Sequence, residues 1–372
     1  MAHRVARTLG TIAAVACVAA AAAGAADVRS VTKELFAVPS TTGNEHELAA
    51  KIRGLLPKSL GIEEDGLGTV AVRLSGSAGP VLVLAALDGY GHMVSGITPD
   101  GYLTVDRPVA PPHARFDAYL LGQPVVISTA KGPVRGVVSQ PALHLLTQER
   151  RKALVDGFSL ETAFIDIAVR SDEEARAKGV ELLDPVTYPA VLTELAGDQW
   201  AGPSLGLKAV AAVLVDIAAG SGSGAAGGET VVAWAAQTKF AARGRGARPA
   251  LGAARAKTKW QPQRAIIVDL VAAGKSEGPV AGGGPVLIQA KDEPSPLRQG
   301  FVKLAADLKI PVQSLTAPDS PLALPFAAAP SEVLTVALPV RFLNTPSEVI
   351  ALGDLQALRD LLAAFLAKGA GR

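Results

Sequence analysis

Two aspartates, Asp88 and Asp269, each follow an apolar run that predicts a buried β-strand. The run before Asp88 reads VLVLAAL and the run before Asp269 reads AIIV. In α/β proteins the functional residues follow the carboxyl ends of strands, and carboxylates there can bind metal ions. Aspartates at strand ends are also common as helix caps and turn residues, so both interpretations stay open.

Other side chains that could bind a metal ion or act as a nucleophile are scarce. The chain has five histidines and one cysteine, Cys17, which leaves little for a metal site rich in nitrogen or sulfur. Ser204 has no histidine and aspartate pattern near it, and no nucleophile-elbow sequence occurs in the chain. We therefore expect neither a serine nor a cysteine nucleophile.

The composition is that of a folded protein without a strongly charged partner. Of the 372 residues, 49% are hydrophobic and 19% are charged, which excludes an intrinsically disordered chain. The 36 Lys and Arg residues oppose 34 Asp and Glu residues, so the net charge is only +2 and we expect no nucleic-acid partner. One basic stretch beside Trp260 is more typical of a solvated surface than of a nucleic-acid or lipid site: Arg243, Arg245, Arg248, Arg255, Lys257 and Lys259.

The N-terminal segment 1–26 has the pattern of a secretory signal peptide. Arg4 and Arg7 precede an alanine- and valine-rich run, and small residues at 23–26 offer a cleavage site. We therefore expect export to the periplasm or the extracellular space, with no membrane span after cleavage. A lipoprotein anchored at Cys17 is a less favoured alternative, because the apolar run continues past the cysteine.

The order of predicted elements indicates an α/β protein with an insertion. Predicted strands and helices alternate in 27–92 and again in 190–372, which favours a mostly parallel sheet flanked by helices. Between them, residues 93–189 contain short β-rich runs separated by Gly, Pro and Asp turns, which predicts an inserted β-barrel-like domain.

Five segments resemble the motifs of one peptidase family. They are PSTTGNE at 39–45, DGLGTV at 65–70, LLGQPVVISTAKGPVRGVVSQPALHLL at 120–146, FIDIAVRSDEEARAKGV at 164–180 and PVRFLNTPSE at 339–348. The family is that of the tetrahedral and glutamyl aminopeptidases, dinuclear metallopeptidases also known as cellulase-M-like or deblocking aminopeptidase-like proteins. The resemblance implies a peptidase domain interrupted by a β-domain through which family members assemble.

The resemblance also shows which functional residues this chain lacks. Two adjacent metal ions need about five histidine and carboxylate ligands, and a further glutamate acts as general base. Only Asp269 matches a metal ligand, and Asp88 matches an aspartate that supports the ligands. The other positions carry residues that do not replace these groups: Ala86 for the first histidine, Gly206 for the bridging aspartate, Thr238 for the general base, Lys239 for a ligand glutamate and Asn344 for the final histidine.

Lys239 puts an ammonium close to the position that a metal cation would occupy in the family. We hypothesise that it pairs with Asp269 and Asp88 in a salt bridge that fills the former metal site, because a buried carboxylate without a counter-ion is costly. The alternative is that its long side chain extends to solvent.

The resemblance leads to three hypotheses about function. The first is an exported, catalytically inactive family member without a cofactor, which serves peptide binding or assembly as a homo-oligomer through the inserted domain. The alternative is an active aminopeptidase that removes N-terminal residues from short peptides with two divalent metal ions, zinc or cobalt. The third is an inactive subunit that assembles with an active paralogue.

Overall fold

A computed structural model describes residues 27–75, 80–149, 151–152, 157–220, 229–240, 249–274, 278–290, 295–328 and 331–368. The predicted signal peptide with Cys17, and the basic residues Arg243, Arg245 and Arg248, lie outside this part of the chain. Its helices include α1 (Val28–Phe36), α2 (His46–Leu55), α3 (Asp172–Ala177), α4 (Leu205–Gly220), α5 (Leu251–Trp260), α6 (Pro296–Leu308) and α7 (Leu352–Lys368).

An eight-stranded mixed sheet forms the centre of the molecule. In spatial order its strands are β1 (Ile62–Glu64), β2 (Val70–Ser75), β12 (Glu229–Ala235), β3 (Val81–Ala86), β13 (Arg264–Ala272), β16 (Glu332–Val340), β14 (Val286–Gln289) and β15 (Gln313–Thr316). The four central strands, from β12 to β16, run parallel. The antiparallel pairs lie towards the two edges of the sheet.

Strand β3 shows why the sheet is covered on both faces. All six of its residues are buried. Val83 and Ala85 pack in the core cluster formed with α1, α2, α4, α6 and α7, whereas Leu82 and Leu84 pack in the cluster formed with α5. Side chains alternate between the faces of a strand, so a continuous apolar run needs a helix layer on each side. This confirms the predicted α/β class.

Helix α4 brings its first turn to the carboxyl end of this sheet. It is buried over nearly its whole length and packs against α1, α7 and β13. A helix that is apolar on every side is stable only in such a core. Ser204, directly before α4, adopts a left-handed backbone conformation (φ 53°) where the chain turns into the helix.

The β-rich segment forms a closed six-stranded barrel, which confirms the predicted barrel-like insertion. Around the barrel the strands are β4 (His92–Ile97), β5 (Leu103–Asp106), β8 (Phe164–Asp166), β7 (Gly132–Ser139), β6 (Pro124–Thr129) and β9 (Pro185–Thr187). Its interior is a separate apolar core that includes Val94, Leu103, Ile127 and Ile165.

A small third sheet lies within the C-terminal part of the peptidase-like domain. It consists of β10 (Thr193–Leu195), β11 (Gln199–Gly202) and β17 (Glu348–Ala351). Because β17 begins at Glu348, that carboxyl group is held at the same end of the molecule as the first turn of α4. None of the helices in the described part of the chain has both the length and the hydropathy of a membrane span.

Candidate functional site

A cleft of about 170 Å³ lies where the carboxyl ends of the central strands face the barrel. The peptidase-like domain contributes Asp88, Tyr90, Lys208, Lys239 and Glu348 to its wall. Aromatic side chains line the barrel side: Phe116, Tyr119 and Tyr188. The volume is below the roughly 300–1,000 Å³ typical of pockets that enclose a whole drug-sized ligand, so it suits the end of a longer molecule.

Asp88 holds the loop that follows β12. It is fully buried (0% exposed). Its carboxylate accepts hydrogen bonds from Thr42 Oγ1 (2.8 Å), the Thr238 main-chain nitrogen (2.8 Å) and the Lys239 main-chain nitrogen (3.1 Å). These bonds occupy both carboxylate oxygens, as expected of a buried charge that stabilises a turn.

Glu45, the last residue of the PSTTGNE motif, holds the same loop from the other side. Its Oε1 accepts from the main-chain nitrogens of Gly43 (3.0 Å) and Gln237 (2.8 Å). Burial raises the pKa of the Glu45 carboxyl, and the nearby charge of Asp88 raises it further. The resemblance matches Thr238 and Lys239 of this loop to the family's catalytic pair, so Glu45 and Asp88 hold the main chain at the positions where that pair is expected.

Two positions that the resemblance matches to metal ligands, Ala86 and Gly206, are buried among apolar side chains. Ala86 is buried in a cluster that also contains Leu207 and Phe326. At Gly206, a Cβ atom would lie 3.0 Å from Val340 Cγ2 and 3.1 Å from both δ-carbons of Leu270. These distances are shorter than ordinary van der Waals contact, so a carboxylate side chain at Gly206 would require the apolar side chains of Val340 and Leu270 to shift.

Asp269, which the resemblance matches to a metal ligand, lies beside Ala86, which it matches to the first histidine. Val268 pairs with Ala85 across β13 and β3, so the next residue, Asp269, is adjacent to Ala86. One oxygen of Asp269 accepts from the main-chain nitrogen of Leu270 (2.8 Å). This local bond is typical of an aspartate that stabilises its own chain turn.

The remaining substituted positions offer neither a ligand nor a base. Asn344 adopts a left-handed backbone (φ 61°), and its carbonyl oxygen is 3.3 Å from His113 Nε2. Thr238 is buried, and its hydroxyl has no hydrogen-bond partner among the described residues. A threonine hydroxyl is far too weakly basic to replace a glutamate as general base.

A dinuclear metal centre does not fit these residues. In the described ranges, no three or more His, Cys, Asp or Glu side chains are grouped so that they could hold a metal ion. His92 lines the cleft, but its Nε2 is 3.1 Å from Asp117 Oδ1 and its ring stacks on Phe116. Two metal ions need more deprotonated donors than Asp88 and Asp269 supply.

The predicted salt bridge of Lys239 is not formed. Where the chain is described, no ion pair within 4.0 Å joins Lys239 to Asp88 or Asp269. Its ammonium instead lies 5.4 Å from the centre of the Tyr90 ring, on the wall of the cleft. The physical reason is that main-chain and hydroxyl donors already occupy the oxygens of Asp88, while a cation over an aromatic face is itself favourable.

Lys208 is a site residue to which sequence reasoning assigned no role. It lines the cleft, is only 3% exposed, and its Nζ has no hydrogen-bond partner among the described residues. Burial lowers the pKa of the Lys208 ammonium from its usual 10.5 to about 7. The feature of the sequence that could have pointed to Lys208 is that it is the one charged residue in the apolar run LGLKAVAAVLV.

Glu348 is a second such residue, although it ends a recognised motif. Its two oxygens accept from the main-chain nitrogens of Gly206 (2.9 Å) and Asn344 (2.9 Å). Burial raises the pKa of the Glu348 carboxyl to about 7, and the charge of Lys239 opposes that rise. Glu348 thus caps the first turn of α4 and ties it to the loop before β17.

Comparison with known proteins agrees with the motifs. The sequence profile of M42 glutamyl aminopeptidases matches residues 68–361. A lysyl aminopeptidase of Pyrococcus furiosus is 27% identical over 293 residues, which cover 76% of this chain and 79% of that protein.

Solved structures share the whole fold. The aminopeptidase APDkam598 of Desulfurococcus kamchatkensis superposes with a TM-score of 0.78 at 21% identity, covering 92% of this chain and 95% of that one. The TET1 peptidase of Pyrococcus horikoshii, described as assembling into a tetrahedron or a large octahedral shell, gives a TM-score of 0.76 at 22% identity, covering 91% and 99%. With the profile match spanning most of its length, this chain belongs to the M42 glutamyl aminopeptidase family.

Proposed function

We propose that this protein is a non-hydrolytic member of the M42 family that binds peptides in its cleft without a metal centre. The observation that carries the proposal is the apolar packing at Gly206, where a Cβ atom would lie 3.0–3.1 Å from Val340 and Leu270, so both side chains would have to shift to admit a bridging aspartate. The loss of the general base at Thr238 supports it independently, because bound metal without a base would still leave hydrolysis slow.

The residues that line the cleft support the proposal that it binds a peptide. Its wall combines aromatic side chains with two ammonium groups, a combination that can contact both the apolar and the polar parts of a peptide. The loop 237–239 remains anchored by Asp88 and Glu45. A cleft with an ordered wall needs little rearrangement to bind, which lowers the entropic cost of binding.

The test compares metal content, turnover and binding in the same preparation. We expect no stoichiometric zinc, cobalt or manganese after dialysis against these ions, no release of amino acids from short peptides, and peptide binding by calorimetry in the presence of a chelator. An active M42 aminopeptidase is the control for metal loading and turnover. Stoichiometric metal together with chelator-sensitive turnover would overturn the proposal in favour of an active aminopeptidase.

A matched pair of variants locates the binding. Tyr90→Ala removes an aromatic wall of the cleft and should weaken peptide binding several-fold, since aromatic contacts supply much of the energy of such sites. Lys303→Met changes an exposed position on α6 and should leave binding unchanged. Equal binding by both variants would place the peptide outside this cleft.

We also propose that the protein assembles as a homo-oligomer through the barrel. Large apolar side chains are exposed on the barrel domain, including Val137 (50%) and Leu145 (77%), and the related TET1 peptidase forms closed shells. Light scattering should give a mass several times the 37.9 kDa of one chain. Val137→Asp with Leu145→Asp should reduce that mass, whereas Val302→Asp, at an exposed apolar position on α6, should not.

We propose in addition that residues 1–26 direct export and are then removed. The pattern of arginines, apolar run and small residues supports this. Mass spectrometry of protein recovered from its native envelope or culture medium would show a chain that begins near residue 27. A full-length chain in the cytoplasm would contradict the proposal.

A further inference from the structure

Two lysine side chains on the wall of the cleft form no ion pair with another described residue. In the described part of the chain, Lys208 and Lys239 have no carboxylate within ion-pair distance. The oxygens of Asp88 are occupied by three donors, and those of Glu348 by two main-chain nitrogens. Lys239 is close enough to Glu348 for its charge to oppose the rise in that carboxyl's pKa, whereas Lys208 has neither an ion pair nor a hydrogen-bond acceptor among the described residues.

Lys208 is the more informative of the two. An ammonium that is 3% exposed and has no acceptor destabilises the fold, and such groups are rare in folded proteins. The side chain lines the cleft, so a ligand there can supply the missing acceptor. It also belongs to the first turn of the 16-residue helix α4, where the helix dipole favours a negative charge.

Resting on the proposed peptide-binding function, we infer that the cleft binds the carboxylate of a peptide, with Lys208 and Lys239 as its cationic partners. The aromatic side chains Tyr90, Tyr119 and Tyr188 would contact the adjoining residue of the peptide. Aminopeptidases act at the amino end of their substrates. This chain would differ from them, because its cleft would present lysine cations and recognise an acidic group. Charge-assisted hydrogen bonds of this kind are about twice as strong as neutral ones.

Two sources can supply the carboxylate, the C-terminus of the peptide or an acidic side chain. Calorimetry at pH 6.5 with a chelator would compare four otherwise identical peptides: C-terminal acid or amide, each with an internal Glu or Gln. We expect at least about tenfold weaker binding when the recognised carboxylate is neutralised, equivalent to about 1.4 kcal/mol. Loss on C-terminal amidation identifies the terminus, and loss on the Glu to Gln change identifies the side chain.

Variants assign the effect to the lysine. Lys208→Met keeps the length of the side chain without its charge and should remove the difference between acid and neutral peptides, while Lys303→Met should preserve it. Because methionine suits a buried position better than an unpaired ammonium, the variant should fold, and a denaturant curve on the same sample checks this. An unchanged preference for the acid in Lys208→Met would overturn the assignment to Lys208.

The two proposals fail in different ways. If the wild-type protein binds all four peptides equally, the carboxylate inference is wrong and the peptide-binding proposal stands. If it binds none, the peptide-binding proposal is wrong, and thermal unfolding with an N-acetylated amino acid tests the carboxylate site alone. A rise in Tm in the wild type but not in Lys208→Met supports the site, and no rise in either overturns it.

Discussion

Replacement of Lys208 by methionine should stabilise the folded protein, and should do so most strongly at acidic to neutral pH. The unfolded chain keeps the usual lysine pKa of 10.5, whereas burial lowers the folded value to about 7. A base whose folded pKa is depressed destabilises the fold fully below the folded pKa. That penalty fades as the pH rises from 7 towards 10.5, because the unfolded state then holds a proton that the folded state has released.

The size of the effect follows from the difference between the two pKa values, 10.5 − 7 = 3.5 units. At about 1.36 kcal/mol per unit, the charged form of Lys208 costs on the order of 5 kcal/mol when fully protonated in both states. Linkage reduces this cost from about 5 kcal/mol at pH 6 to about 2 kcal/mol at pH 9. These figures are large beside a typical domain stability of roughly 5–15 kcal/mol.

The assay is equilibrium unfolding in urea at pH 6, 7.5 and 9 for the wild type, Lys208→Met and Lys303→Met. We expect Lys208→Met to be more stable than the wild type by several kcal/mol at pH 6, with a margin that shrinks steadily towards pH 9. Other titrating groups, Glu348 included, are present in every variant and cancel from the difference. Lys303→Met should follow the wild type at every pH.

The result that would refute the reasoning is a Lys208→Met variant within about 0.5 kcal/mol of the wild type at all three pH values. Its ammonium would then be solvated or paired in the folded protein. If Lys208→Met is more stable than the wild type and no longer binds a carboxylate, the reasoning is supported, because the charge of Lys208 then destabilises the fold and serves ligand binding. Functional sites commonly show this opposition between stability and activity.

Three further predictions concern the same end of the sheet. Burial raises the pKa of Glu348 from 4.5 to about 7, so its contribution to stability is fully present below pH 4.5 and is lost as the pH rises through 7. In urea unfolding, the wild type should therefore lose up to about 3 kcal/mol of stability between pH 5 and pH 7.5, and Glu348→Gln should remove this pH dependence. Asp88→Asn replaces one acceptor oxygen of the carboxylate with an NH₂ donor, so at least one main-chain nitrogen of Thr238 or Lys239 loses its partner. The free energy of unfolding should fall by about 1–3 kcal/mol. Gly206→Asp should not restore metal binding. Calorimetry should show that the variant unfolds with about 1–3 kcal/mol less stability than the wild type, because its Cβ would press on Leu270. A stable variant that binds zinc would contradict this.

Local patterns in the sequence were sufficient for the architecture. An apolar strand such as VLVLAAL must be covered on both faces, and closely spaced β-runs with turn residues must close their edges, so the α/β core and the barrel could both be predicted. Residue identity at aligned positions also predicted which groups are missing. An alanine, a glycine and an asparagine lack the donor atoms of the ligands they replace in any fold.

The partners of the buried charges could not be predicted in this way. The Lys239 ammonium was expected to pair with Asp88, but that carboxylate accepts from the Thr42 hydroxyl and from main-chain nitrogens of the loop that carries Lys239. The ammonium lies over the Tyr90 ring instead. Glu348 caps a helix that begins 142 residues earlier in the chain. Hydrogen bonds between residues so far apart in the chain depend on how distant elements pack together, and a local sequence pattern does not predict that.

What the sequence alone determined, therefore, is the class of fold, the family motifs and the absence of the family's metal-binding side chains. Tertiary structure decided what replaced them: apolar packing around Gly206, two carboxylates that hold the loop after β12, and an unpaired ammonium at Lys208. The physical reason is that burial, rather than residue type, sets the cost of an unpaired charge. Burial is a property of the assembled core and not of any segment of the chain.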